Sequence, residues 1–468
     1  MSSNRVVLPM LVSLLSVPGR LGAAEAPAPS RTTTPTPTSP YAIDLATTLR
    51  LAGAKSLDIK VAEERLHEAE ANATSAAWQF LPWLSAGANA RRHGGLTQDV
   101  IGNIVEADKH SYAWGAALNL QVDVGDALYR TLAARQTHRA AEEELEVQRQ
   151  ETLVRGAQAY FDLLVVQAVV DVAADSLGIS QDYESQLHRA VDAGIALKGD
   201  EMRVKVQTQR NLLALQQAKE QQRIVAARLV EALRLDPGVE LVARDQELAP
   251  LALVPAPEPI EALVSEALAA RPEMKASAAL VKAAEQTEKG AVYGPLVPTL
   301  GGQVAIGTLG GGRENGPTTS GGSRDYLAFV GWRIGPGGLF DLGRIRGTRA
   351  RLGEAQWNLE KLKDSIVRQV VEARTRVLSQ QEQIQTAKEA LAAAEQALAL
   401  ARGRKEFEVG VVLENILAEQ DQTRARQDYV HALGEYDKAQ YSLARAVGRL
   451  GKDAPDQAGS TVRGSAGR

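Results

Sequence analysis

The chain has 468 residues, no cysteine, 4% aromatic residues and a formal net charge of −4. The lack of cysteine excludes disulfides, thiolate metal sites and a lipidated N-terminal cysteine, and the mild acidity leaves no basic footprint for nucleic acid. Ala, Glu, Gln, Leu and Arg dominate long stretches, which argues for extended helices over ordinary globules.

Arg5, the apolar run over 6–17 and the small residues Gly22, Ala23 and Ala24 read as a signal peptide over 1–24. Residues 25–40 alternate Pro, Thr and Ser and predict an extended leader. No later segment holds 18 consecutive apolar residues, so the sequence predicts no helix crossing a bilayer.

A first unit spans 41–235. It reads as a helix over 43–78, Pro82, strands at about 83–92 and 111–122, a helix over 126–192 ending at Gly194, and a helix over 200–233. Tyr112, Trp114, Ala116, Leu118, Leu120 and Val122 alternate with small or polar residues, so one strand face is apolar. The segment 236–259, rich in Pro, Val and Leu, is placed as a linker where two halves meet at the equator.

A second unit spans 260–451, with a helix over 260–291, strands at about 299–308 and 325–335, a helix over 344–409 ending at Gly410, and a helix over 414–447. Its strand faces carry Leu300, Gly302, Val304 and Ile306, then Tyr326, Ala328, Val330, Trp332 and Ile334. The tail, 452–468, is expected to be disordered. Each long helix would measure on the order of 100 Å. Val370, Ala373, Val377, Gln380, Ile384, Ala387, Leu391, Ala394, Leu398 and Ala401 alternate spacings of three and four, the seam of a coiled coil.

The two units repeat each other. Phe80-Leu81-Pro82-Trp83-Leu84 matches Leu296-Val297-Pro298-Thr299-Leu300, and Val122-Asp123-Val124-Gly125 matches Phe340-Asp341-Leu342-Gly343. Ala193-Gly194-Ile195 matches Val409-Gly410-Val411, and Arg234-Leu235 matches Arg449-Leu450. Four landmarks in one order at nearly constant offset describe a tandem duplication. Each strand is about the length of a tilted strand crossing an outer membrane, and Trp83, Tyr112, Trp114, Tyr326 and Trp332 suit interfacial girdles. Four strands cannot close a barrel, and open edges are not tolerated in lipid, so the chain is expected to oligomerise.

These residues resemble the TolC family of outer-membrane efflux and secretion channels. The resemblance rests on Ala269-Ala270-Arg271-Pro272-Glu273-Met274, on Leu339-Phe340-Asp341-Leu342-Gly343-Arg344 and on the turns at Gly194 and Gly410, and it covers roughly 41–451. It implies a mainly α fold with a transmembrane β-barrel: a homotrimer whose long coiled-coil hairpins form a periplasmic tunnel beneath a twelve-stranded barrel in the outer-membrane lipid. It implies the exit duct of a tripartite efflux or type I secretion system, with a periplasmic adaptor (membrane fusion) protein and an inner-membrane transporter as partners. It also makes Ala193, Gly194, Ile195, Ala196, Val409, Gly410, Val411 and Val412 the periplasmic tip, where the adaptor docks.

Asp200 stands where the family often has an acid six residues after the turn glycine; the second copy has Ile416 there, flanked by Glu414 and Glu419. Asp200, Glu414 and Glu419 are therefore expected to set the electrostatics of the entrance. No histidine pair, phosphate loop or catalytic carboxylate pair stands out, so no enzyme, metal or cofactor is expected. A periplasmic coiled-coil scaffold without channel activity is the alternative reading, which accounts for the heptads but not for the matched strands.

Overall fold

The computed structural model describes residues 41–245, 248–254, 258–313, 316–406 and 412–450. The signal peptide, the leader and the tail lie outside the described residues.

The chain opens with β1 (Tyr41–Ile43), α1 (Leu45–Lys55) and α2 (Leu57–Trp78), then β2 (Trp83–His93), the short β3 (Leu96–Gln98) and β4 (Ile104–Glu106), and β5 (Lys109–Asp123). The long α3 (Val124–Asp192) and its return α4 (Lys198–Ala232) complete the first copy. After β6 (Leu241–Ala243), the second copy repeats the order with α5 (Ile260–Ala270), α6 (Pro272–Tyr293), β7 (Thr299–Arg313), β8 (Thr319–Gly331), α7 (Leu342–Glu406) and α8 (Val412–Val447).

Two helices expected to be continuous are broken. Ser56 leaves helical geometry at ψ 129° and its Oγ accepts the Ile59 N–H, capping α2. Arg271 sits at ψ 131° because the ring of Pro272 disfavours helical geometry in the residue before it. Proline then opens α6 at its first position, where a missing N–H is harmless.

The strands differ from expectation at both ends of the sheet. β7 runs on to Arg313 and β8 already begins at Thr319, so only 314–318 connect them. Closely spaced glycines permit this: the ring of Tyr112 on β5 occupies the space above Gly310. Conversely β8 stops at Gly331, and Trp332 and Ile334 lie beyond the strand. The positive-φ residues Gly335 and Gly337 turn the chain there, and Trp332 Nε1 donates to the Leu296 carbonyl at 3.1 Å.

The four long strands form one antiparallel sheet in the order β2-β5-β7-β8, so the pairing of β5 with β7 joins the two copies. Its register pairs Asn119 with Gln303 and Leu118 with Val304. β2 and β8 are its two edges.

In the helical part, all ten seam positions of α7 from Val370 to Ala401 are buried or half-buried, as coiled-coil packing requires. The main core lies where the copies meet. Leu45 and Leu49 of α1, Tyr160 and Phe161 of α3, Leu229 of α4, Leu263 of α5, Val370 of α7 and Leu443 of α8 pack into one cluster. β1 and β6 pair in parallel across it, so the linker sits between the halves. Gln167 of α3 accepts the Ala243 N–H at 3.1 Å, while Asp437 and Gln440 of α8 accept the N–H groups of Leu251 and Val254. The family-like Arg271-Pro272-Glu273 lies here too: buried Arg271 binds Glu273 at 2.7 Å and Gln369 at 2.8 Å. One stretch of α3 is, by length and hydropathy, apolar enough to cross a membrane. Of that stretch 44% is buried, and the same helix places Leu163 and Leu164 in the main core.

Candidate functional site: sheet wall and helical tip

Side chains alternate along a strand, so the register assigns each residue to a face. Trp114, Leu118, Val304, Ile306, Tyr326 and Val330 share one face and are all well exposed. An exposed apolar surface of this kind fits lipid. On the opposite face a polar ladder ties three strands: Gln303 Nε2 donates to Asn119 Oδ1 at 2.8 Å, and Asn119 Nδ2 donates to Ser85 Oγ at 2.9 Å. This polar face is not uniformly polar, for Leu309, Leu327 and Phe329 share it, and the Phe329 ring covers Gly301.

The five aromatics expected at interfacial girdles lie at different heights of the sheet. Tyr112 and Trp114 lie on the apolar face towards the loop end, and Tyr326 pairs with Val304 in mid-strand. Trp332 lies past β8 at the helix end. Trp83 is opposite Asn119, which places it on the polar face, a correction that follows from the register.

At the other end α3 finishes in a glycine cap. Gly194 has φ +75°, its N–H donates to the Val191 carbonyl at 2.9 Å, and the Ile195 N–H donates to the Ala190 carbonyl at 2.8 Å. That is the Schellman arrangement, which satisfies the last carbonyls of a helix with a left-handed residue. Among the described residues a Cβ at Gly194 would meet nothing within 4 Å, and Ile195 and Leu197 beside it are 77% and 74% exposed. Ala193 caps the helix, while Ala196 packs with Val412 of the second copy around Leu187, Val204 and Ile416. Val409, Gly410 and Val411 lie outside the described residues.

The three acids expected at the entrance are held differently from one another. Asp200, in the first turn of α4, binds Arg203 at 3.2 Å. Glu414 is half-buried in the first turn of α8. Glu419 is only 5% exposed, which corrects its placement on an aqueous face. It lines a cavity of about 470 Å³ between α3, α7 and α8, with Tyr183, Leu398, Arg402 and Asn415. Burial pushes its carboxyl up to about 7 against the pull of Arg402, so it is no fixed negative charge at neutral pH. Sequence reading missed Glu201, whose carboxyl is held below its usual range by Lys198 and His188. Its position three residues after Lys198 on one helix was the available signal.

A long helical hairpin in each copy, joined to a sheet with one lipid-compatible face, defines a membrane channel subunit of the envelope. The pattern of the outer membrane efflux protein family matches residues 48–233 and 263–449, one match for each copy. The chain belongs to this family. It is an outer-membrane efflux or secretion channel protein, with its helices extending into the periplasm. It is similar to Protein CyaE of Bordetella pertussis, 26% identical over 382 residues covering 80% of this chain and 77% of that one. Its fold is similar to the outer membrane protein VceC of Vibrio cholerae, with a TM-score of 0.69 and 18% identity over 86% of this chain and 96% of that one. It is likewise similar to the CmeC outer membrane channel of Campylobacter jejuni, with a TM-score of 0.72 and 14% identity over 90% and 89%. Channel family and sheet together displace the scaffold alternative.

Proposed function

We propose that three copies of this chain close a twelve-stranded barrel and a common periplasmic tunnel, forming the passive exit duct of a tripartite efflux or type I secretion machine. The observation that carries this is the open sheet. β2 and β8 each have one hydrogen-bonded neighbour, and their free edges flank an apolar face. In lipid an unpaired edge leaves backbone groups unsatisfied, so β8 of one copy pairs with β2 of the next until the ring closes. The polar face then lines the lumen.

A passive duct draws cargo from elsewhere, so its partners are a periplasmic adaptor and an inner-membrane transporter. The exposed Ile195 and Leu197 at the Gly194 turn supply an apolar point for the adaptor. The family is one of channels, and no catalytic step is proposed. Mass measurement of the full chain in mild detergent should give three chains. A well-behaved monomer with full secondary structure would overturn the reading.

A further inference from the structure

We propose that the loop end of the polar face is an oxyanion-binding station, built by Arg91, Lys109 and Arg313 with His93, Ser111 and Thr319, that receives phosphate, sulfate or carboxylate groups of the cargo. It rests on the reading that this face lines the lumen.

Two successive cross-strand rows make the site. The first sets His93, Lys109 and Arg313 directly opposite one another on β2, β5 and β7. The second sets Arg91 opposite Ser111, then Gly311, then Thr319. Gly311 leaves a gap in that row, since a Cβ there would collide with the His110 carbonyl. All six side chains line one cavity of about 630 Å³, and the alternation puts them on the face of Ser85, Asn119 and Gln303.

The arrangement works against the sheet's own stability. Like charges directly opposite on antiparallel strands repel, yet Lys109 faces Arg313. Among the described residues no ion pair relieves Arg91, Lys109 or Arg313. Asp108 is engaged by Arg92 at 3.5 Å, and Asp325, nearer mid-sheet on the polar face, accepts from Ser323 at 3.1 Å. Glu314, next after Arg313, lies outside the described residues. Among the described residues His93 Nε2 is buried without a hydrogen-bond partner.

The donor set decides the ligand class. Two guanidinium forks, an ammonium and two hydroxyls offer N–H and O–H groups converging on one space, which suits the oxygens of an anion. A cation would be repelled there by three fixed positive charges. Below this end the same face carries mainly Ser, Asn, Gln, Gly and Ala on β2 and β5, so the positive charge is concentrated at the mouth. Arg92, by alternation, points to the apolar face and is the position a lipid headgroup would use.

The test is calorimetric titration of the purified full-length protein in mild detergent at low salt with inorganic pyrophosphate. Wild type should bind saturably and more weakly as salt rises. Arg91→Gln, Lys109→Gln and Arg313→Gln together should weaken binding about tenfold or more, and Arg92→Gln should leave it unchanged. Circular dichroism checks that the triple variant is folded; should it fail to fold, Arg91→Gln and Lys109→Gln alone must each weaken binding. Absence of saturable binding by wild type, or unchanged affinity without the three cations, overturns the station. So does an equal loss with Arg92→Gln, which puts the anion on the lipid side. The mass of the same sample separates the two readings. A three-chain assembly without this anion dependence sinks the station alone, whereas a monomer sinks the channel on which it rests.

Discussion

Arg344 and Asp126 occupy the same position in the two repeats, 218 residues apart, and they bind each other: one guanidinium nitrogen donates to both carboxylate oxygens, at 2.8 and 2.9 Å. Equivalent positions in a tandem duplication meet where the copies adjoin. Identical charges there would repel, and the copies have diverged to opposite signs. The contact ties the start of α7 to the start of α3, directly below the joined strands β5 and β7. Both side chains are mostly shielded, at 27% and 15% exposure.

Removing one partner should therefore weaken the junction of helices and sheet. Arg344→Ala is expected to destabilise by about 1.5–3 kcal/mol, the range for hydrogen bonds to charged groups. Exchanging the charges, with Asp126→Arg and Arg344→Asp together, should recover a large part of the loss. Thermal unfolding in detergent measures both. A swap no better than the single variant would show that packing, not pairing, holds the junction.

The facing of the sheet makes a second expectation. Val304 lies on the apolar face between Leu118 and Tyr326, and neighbouring Gln303 lies in the polar ladder. Val304→Arg should disfavour membrane assembly by about 2–4 kcal/mol if it sits at the bilayer midplane. Gln303→Arg should be much milder. Comparable yields of folded protein in outer membranes for the two variants would contradict the assigned faces.

Long-period patterns were legible in the sequence, and local punctuation was less so. The duplication, the two long helices and the α7 seam follow from spacing, because burial of a helix stripe repeats over dozens of residues. Alternation likewise assigned Trp114 and Val304 to one face. The break at Arg271 was signalled by Pro272, yet a strong apolar period on both sides masks a single extended residue. The extent of β7 and β8 was hidden because glycines and hydroxyl residues read as loop, whereas here Gly310 makes room for the ring of Tyr112. Burial of Glu419 could not be read at all. It depends on α3, α7 and α8 meeting around it, which no spacing along one helix reveals.

A pH effect follows from Asp437, which is 1% exposed and accepts the Leu251 N–H at 2.8 Å. Burial pushes its carboxyl from the ordinary 3.8 up to about 7. Between those values the folded chain holds a proton that the unfolded chain has released. Stability from this group is thus full below about pH 4, falls as pH rises towards 7, and stays low above it. Asp437→Asn keeps an oxygen for Leu251 and cannot ionise. It should raise the thermal midpoint relative to wild type at pH 8 and leave it nearly unchanged at pH 4. A variant less stable than wild type at pH 8 would show that the ionised carboxylate is needed.

The turn at Gly194 is the strongest candidate for contact with a partner. Its φ of +75° strains any residue with a Cβ, by about 1–2 kcal/mol for an ordinary side chain. Yet among the described residues no atom beyond the turn's own neighbours lies within 4 Å of where that Cβ would stand. Among the described residues, a side chain added there disturbs the turn itself, and beyond it whatever docks there. The sheet lies at the far end of α3, on the order of 100 Å away, so barrel assembly should not sense the change. Gly194→Leu is accordingly expected to leave oligomers in the outer membrane at normal abundance while cutting transport. Gly194→Asn, which tolerates left-handed geometry with a short side chain, should retain more of it. Oligomer abundance and cargo efflux are to be measured in the same cells. Undiminished efflux with Gly194→Leu would reduce the turn to an ordinary helix cap and move the docking point elsewhere.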